Sequence, residues 1–148
     1  MNIGAFACIF LMKRGGKYIE EIEELSGVSK NHPLMSLGLM IILFSLAGIP
    51  PLAGFFAKFY IFMSVIESEM YILAIVGLVT TVVSAFYYIR IIKVMYFDGD
   101  RKDSLVSPPK VLTGMLLVTA VPTMLLGIYW VPLAEWIQKS LVFFIQTI

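Results

Sequence analysis

The chain has 148 residues, of which 59% are hydrophobic and 14% charged, with a mean hydropathy of +0.91 and a formal net charge of +1. A soluble domain carries nearer a quarter charged residues, so the composition is that of an integral membrane chain. It gives no footing for a nucleic-acid partner, and the single cysteine, Cys8, excludes an internal disulfide and cannot make a metal site alone.

Met1 to Met12 is apolar but only about 18 Å long as a helix, against a hydrocarbon core of about 30 Å. Residues 1–13 are therefore expected to be a partial span completed by a partner or by further chain, with an interfacial helix as the alternative. No basic segment precedes this run, so it does not read as a secretory signal. Lys13, Arg14, Gly15, Gly16 and Lys17 supply the basic residues and glycines of a helix C-terminus at a membrane surface. Ile19 to Leu25 interleaves Glu20, Glu21, Glu23 and Glu24 with Ile22 and Leu25, which predicts a short amphipathic surface helix. Gly27 and the turn Asn31-His32-Pro33 close it, because the residue before proline is pushed out of helical space.

From Leu34 to Ile66 the only formal charge is Lys58. As one straight helix this run would measure about 50 Å, far more than a bilayer needs. Gly48, Pro50, Pro51 and Gly54 interrupt it, predicting a broken span over 34–66: a half-helix from Leu34 to about Ala47 and a second from Phe55 to Ile66. Glu67, Ser68 and Glu69 form an acidic turn. Residues 70–97 make the next span, closed by Arg90 and Lys93, and Asp98 to Lys110 is a polar loop whose Pro108 and Pro109 suit a helix start. Residues 111–136 make the last span, with a kink expected at Pro122 and a belt of Trp130, Pro132, Trp136 and Lys139 before an apolar tail. The fold class is all-α integral membrane, with three full transmembrane helices, one of them discontinuous, and a partial one at the N-terminus.

Basic residues concentrate in two loops. Lys13, Arg14, Lys17 and Lys30 lie in the first, and Arg90, Lys93, Arg101, Lys102 and Lys110 around the third, whereas the loop between holds only Glu67 and Glu69. The positive-inside rule puts the two basic loops on the inner side, with the acidic turn and the C-terminus on the outer side. This places Lys58 well past the break, in the half of its span that leads to the outer face.

A lysine at membrane depth costs between about 2.5 and well over 10 kcal/mol, depending on its access to water or a partner. Burial depresses a lysine pKa by up to about 3 to 5 units and a nearby carboxylate restores it, so such a group can load and unload a proton. The competing reading is that Lys58 snorkels outward towards Glu67, about 13 Å further along a helix. The break favours proton handling, because an anchoring lysine does not need an unwound helix. Thr80, Ser84 and Tyr87 or Tyr88 recur at helical spacing; they either line a hydrogen-bonded water path towards the basic loop or bond back to their own helix. His32 is either a proton relay at the inner surface or a turn residue. There is no metal-site spacing, phosphate loop or nucleophilic triad, so this chain by itself is not expected to carry redox or hydrolytic chemistry.

SLAGIPPLAGFFAKFYIF at Ser45–Phe62, preceded by NIGAFA at Asn2–Ala7 and followed by VVSAFYYIRIIKVMYF at Val82–Phe97, closely resembles the antiporter-like subunits of respiratory complex I. Within them the match is to the C-terminal part of subunit N of bacterial NADH:quinone oxidoreductase, called NADH dehydrogenase subunit 2 in mitochondria. The resemblance implies that 34–66 is the broken twelfth helix of a fourteen-helix subunit and that Lys58 is the terminal lysine passing protons towards the outer side. It implies a bacterial plasma membrane or mitochondrial inner membrane, and as partners the lipid bilayer, other complex I membrane subunits and the remaining helices of the same subunit. It implies no cofactor in this chain, the complex using NADH, flavin, iron–sulfur clusters and quinone elsewhere. The buried Glu and Lys of the family's first half-channel have no counterpart among these residues. A subunit of a multi-subunit cation/proton antiporter, or an assembly piece without transport, are the alternatives.

Overall fold

A computed structural model describes residues 1–14, 17–18, 21–98 and 110–147. Among the described residues seven α-helices follow in order: α1 Asn2–Leu11, α2 Val28–Asn31, α3 Pro33–Ala47, α4 Ala53–Glu67, α5 Tyr71–Phe97, α6 Lys110–Ile128 and α7 Trp130–Thr147. The Gly15–Gly16 pair, Ile19 and Glu20, and residues 99–109 with Arg101, Lys102, Pro108 and Pro109 lie outside the described residues.

The first basic segment differs from its expected form. Lys13–Arg14 pairs antiparallel with Lys17–Tyr18 as a minimal hairpin, and the acidic stretch is a 3-10 turn, Ile22–Leu25, rather than an α-helix. The 3-10 turn uses Glu21 and Glu24 as a reciprocal capping box.

α3 is the central helix. Pro33 starts it at a position where no N–H is needed, and it buries Met35, Ser36, Gly38, Leu39, Ile42, Leu43, Ser45 and Ala47. Ala5 and Cys8 of α1, Leu25 of the 3-10 turn, Val28 of α2, Ile92, Val94 and Met95 of α5, and Leu116 and Ala120 of α6 join one core around it. Cys8 is fully buried, as expected of an inert thiol. α4 and α5 form an antiparallel hairpin through Ser68–Met70, with the Phe62 ring over Gly77, where a Cβ would strike it.

Most of α5 faces outward. Ile72, Leu73, Ile75, Val76, Leu78, Val79, Val82, Val83 and Phe86 are exposed, a surface suited to lipid or other helices rather than water. Among the described residues α5 alone is long and apolar enough to cross a membrane unbroken, while α6 and α7 form a pair bent by 76°. α6 carries Pro122 inside it, and a sharp turn follows Ile128, where Pro132 falls in the first turn of α7 and is tolerated there.

The segment carrying Glu23 and Ser26 meets the C-terminal end of α5: the Arg90 guanidinium pairs with the Glu23 carboxylate at 3.0 Å, and the Ser26 hydroxyl donates to the Asp98 carbonyl at 2.7 Å. The segment before α3 and the C-terminal end of α5 thus sit at one end, and the Glu67–Glu69 turn closes the far end of the α4–α5 hairpin.

Candidate functional site: a helix break closed by a lysine

α3 stops at Gly48, whose φ of 85° and ψ of 40° are left-handed and open to glycine without penalty. The Gly48 N–H bonds the Ser45 carbonyl at 3.0 Å and the Ile49 N–H bonds the Phe44 carbonyl at 3.0 Å, the bonding pattern of a Schellman ending. That pattern leaves the last two carbonyls of α3, those of Leu46 and Ala47, without a backbone partner. Ile49 to Leu52 then closes as a turn, its Pro50–Pro51 bond cis, with the Leu52 N–H on the Ile49 carbonyl at 3.2 Å.

Lys58 supplies what the Schellman ending lacks. Its Nζ donates to the Leu46 carbonyl at 2.8 Å and lies 3.4 Å from the Ala47 carbonyl. A cation there also meets the negative end of the α3 dipole. The competing reading falls: Lys58 does not snorkel outward towards Glu67, because a helical side chain leaves its Cα pointing towards the helix N-terminus, which for α4 is the break itself. Lys58 thus belongs to the second half-helix while its ammonium is seated at the break.

The start of α4 is capped in return. Leu52, the N-cap residue, offers no side-chain acceptor, and the Gly54 N–H, one of the orphan donors of the first turn, is taken by the Ser45 hydroxyl at 3.0 Å. Ser45 was missed in the sequence, although a signal was present. Between Ser36 and Lys58 it is the one polar side chain, and a helix beginning at membrane depth needs an acceptor for its free N–H groups.

Gly54 and Gly127 let backbones meet here. A Cβ on Gly54 would run into the Ser45 carbonyl, and one on Gly127 of α6 would run into the Pro51 carbonyl and the Ala53 nitrogen. Gly48, Pro50, Pro51 and Gly54 thus belong to one joint with Lys58, and α6 braces it. Just beyond, Trp130 stacks on Phe56 with rings 5.5 Å apart and 7° from parallel, and its ring centroid lies 5.4 Å from that of Tyr60.

The remaining candidates are elsewhere. His32 ends α2 and begins α3, half buried, about 22 Å along α3 from the break. The Thr80 hydroxyl donates to the Gly77 carbonyl and the Ser84 hydroxyl to the Thr80 carbonyl, both at 2.9 Å, which is back-bonding within α5. Tyr88 packs against the core and Tyr87 is exposed, its ring edge-on to Phe86.

Comparison with known proteins gives the lineage. Residues 1–84 match the family model described as NADH:quinone oxidoreductase/Mrp antiporter, TM. NADH-quinone oxidoreductase subunit N of Pelagibacter ubique is 64% identical over 102 residues, covering 69% of this chain and 22% of that protein. Subunit N of Parvibaculum lavamentivorans is 45% identical over 133 residues, covering 90% of this chain and 28% of that protein. A chain in the structure of respiratory complex I from Thermus thermophilus with bound aureothin superposes with a TM-score of 0.71 at 26% identity, covering 84% of this chain and 28% of that one. The chain spans about a quarter of the length of the relatives it matches. With a broken, lysine-closed helix in an apolar bundle and the match over its first 84 residues, the chain belongs to the NADH:quinone oxidoreductase/Mrp antiporter transmembrane family.

Proposed function

We propose that this chain serves in the membrane arm of a proton-translocating NADH:quinone oxidoreductase, as part of subunit N, and that Lys58 is a proton relay on the outer-side half of its path. The observation that carries the reading is the Lys58 ammonium held on two backbone carbonyls at a helix break. Carbonyl oxygens hold the charged form without the permanent counter-charge a carboxylate would impose, so the group is kept at membrane depth yet free to titrate. In this reading the chain binds no cofactor; NADH, flavin, iron–sulfur clusters and quinone act elsewhere in the complex. Its partners are the bilayer, the other membrane subunits and the further helices of a subunit N. The relatives named above are bacterial, which favours a bacterial plasma membrane over the mitochondrial inner membrane. His32 and the Thr80–Ser84–Tyr88 face, with Tyr87 beside it, would take part only by way of water, since the two hydroxyls are engaged by their own helix.

The test is Lys58→Arg against Lys58→Ala in the assembled membrane complex, measuring protons moved per NADH oxidised. Arginine keeps a cation and its donors at the break but does not release a proton in a protein. Both variants are expected to lower the ratio while electron transfer continues. Full pumping by Lys58→Arg would overturn the relay and leave Lys58 as a helix cap. The family description also covers Mrp antiporters, so the second reading is a subunit of a cation/proton antiporter; sodium-dependent proton movement without NADH would select it.

A further inference from the structure

Serine and threonine in membrane helices ordinarily bond back to their own helix. Ser68, Thr80, Ser84, Thr119 and Thr123 do so here. Ser45 does not: fully buried, it reaches across the break to the Gly54 N–H. Its placement is specific. Gly54 and Lys58 are four residues apart, on one face of α4 and one turn from each other, and Ser45 directly precedes Leu46 and Ala47, whose carbonyls receive Lys58. Three hydrogen bonds from two positions one turn apart on α4 therefore end on three consecutive residues of α3. A shift of α4 that broke the Gly54 bond would carry the Lys58 ammonium away from its acceptors. The approach is at its limit, because Ser45 backbone fills the space a Cβ on Gly54 would take.

We infer that Ser45 is the positioning residue for Lys58: its hydroxyl holds the first turn of α4 in the register that delivers the ammonium to the Leu46 and Ala47 carbonyls. The bond is independent of charge, so it keeps the joint closed when Lys58 gives up its proton and holds those carbonyls less strongly. This rests on the relay reading of Lys58, and the test separates the two.

In the assembled membrane complex, Ser45→Ala is expected to lower protons moved per NADH by about fivefold, the scale of one lost buried hydrogen bond. Ser45→Thr, which keeps the hydroxyl, should recover most of the ratio, and Ser45→Ala should add nothing in a Lys58→Arg background. Subunit content on native gels monitors assembly; should Ser45→Ala fail to assemble, Ser45→Cys, of similar shape and weaker acceptance, takes its place. Unchanged pumping in the variant that assembles, no recovery with threonine, or a loss that adds to that of Lys58→Arg would each overturn the positioning role. Normal pumping by Lys58→Arg sinks the relay itself, whereas a deficient Lys58→Arg beside a normal Ser45→Ala sinks only the part given to Ser45.

Discussion

A glycine matters here for what its missing Cβ would touch, and Gly54 and Gly114 separate cleanly on that ground. At Gly54 an added methyl meets the Ser45 carbonyl, backbone that cannot swing aside. Gly54→Ala should therefore destabilise by about 2 kcal/mol or more, parting the half-helices and withdrawing Lys58 from its carbonyls. Gly114 has nothing within 4 Å of its Cβ position, so Gly114→Ala should be neutral or stabilise by up to about 1 kcal/mol through helix propensity. Thermal unfolding of both variants in detergent checks the pair, and equal midpoints would contradict the packing at the break. Gly48 serves differently, through its left-handed backbone at the end of α3. Lys58 and the glycine and proline break were legible in the sequence, because a charge and helix breakers stand out in an apolar run. The direction of the lysine was not, since chemistry alone let it point to Glu67 or to the break.

At the scale of elements, α6 and α7 clamp the second half-helix. Gly127 lets α6 lie against the backbone of the break, and Trp130, first residue of α7, stacks on Phe56 and meets the Tyr60 ring at a tilt, both on α4. The Trp130 Nε1 is buried without a partner among the described residues, so the ring is held by its faces. Trp130→Ala should cost about 3 to 5 kcal/mol through the cavity left, and Trp130→Phe much less, because it keeps the stacking and removes an unsatisfied N–H. Unfolding midpoints, with proteolysis near Tyr129 as a local readout, check the order wild type, then Phe, then Ala. The sequence placed Trp130 in an interfacial belt, and a belt residue has no required ring partner. The turn after Ile128 brings it onto α4, a pairing between distant parts of the chain that a local pattern does not carry.

The whole molecule is asymmetric, with a dense core around α3 and a wide apolar face along α5. The Arg90–Glu23 pair joins the loop before α3 to the end of α5, but both side chains are about half exposed, at 48% and 52%. Its worth lies in fixing which segments share an end rather than in stability, where exposed pairs contribute about 0 to 1 kcal/mol. Single cysteines at Lys30 and Glu67, in a Cys8→Ala background, should react with a membrane-impermeant maleimide from opposite faces, Lys30 from the inner side. Labelling of both from one side would overturn the two-crossing arrangement between them.

The sequence by itself determined that this is a membrane chain, that one span is broken, and that a single lysine lies beside the break. Those follow from hydrophobic run length, from the backbone limits of glycine and proline, and from the cost of charge in lipid, all of them local to the chain. The tertiary structure decided where the lysine points, that Ser45 and Gly54 close the joint from the other side, and that α6 and Trp130 brace it. Those depend on which free backbone groups meet which side chains across a gap, and a one-dimensional pattern does not carry that pairing.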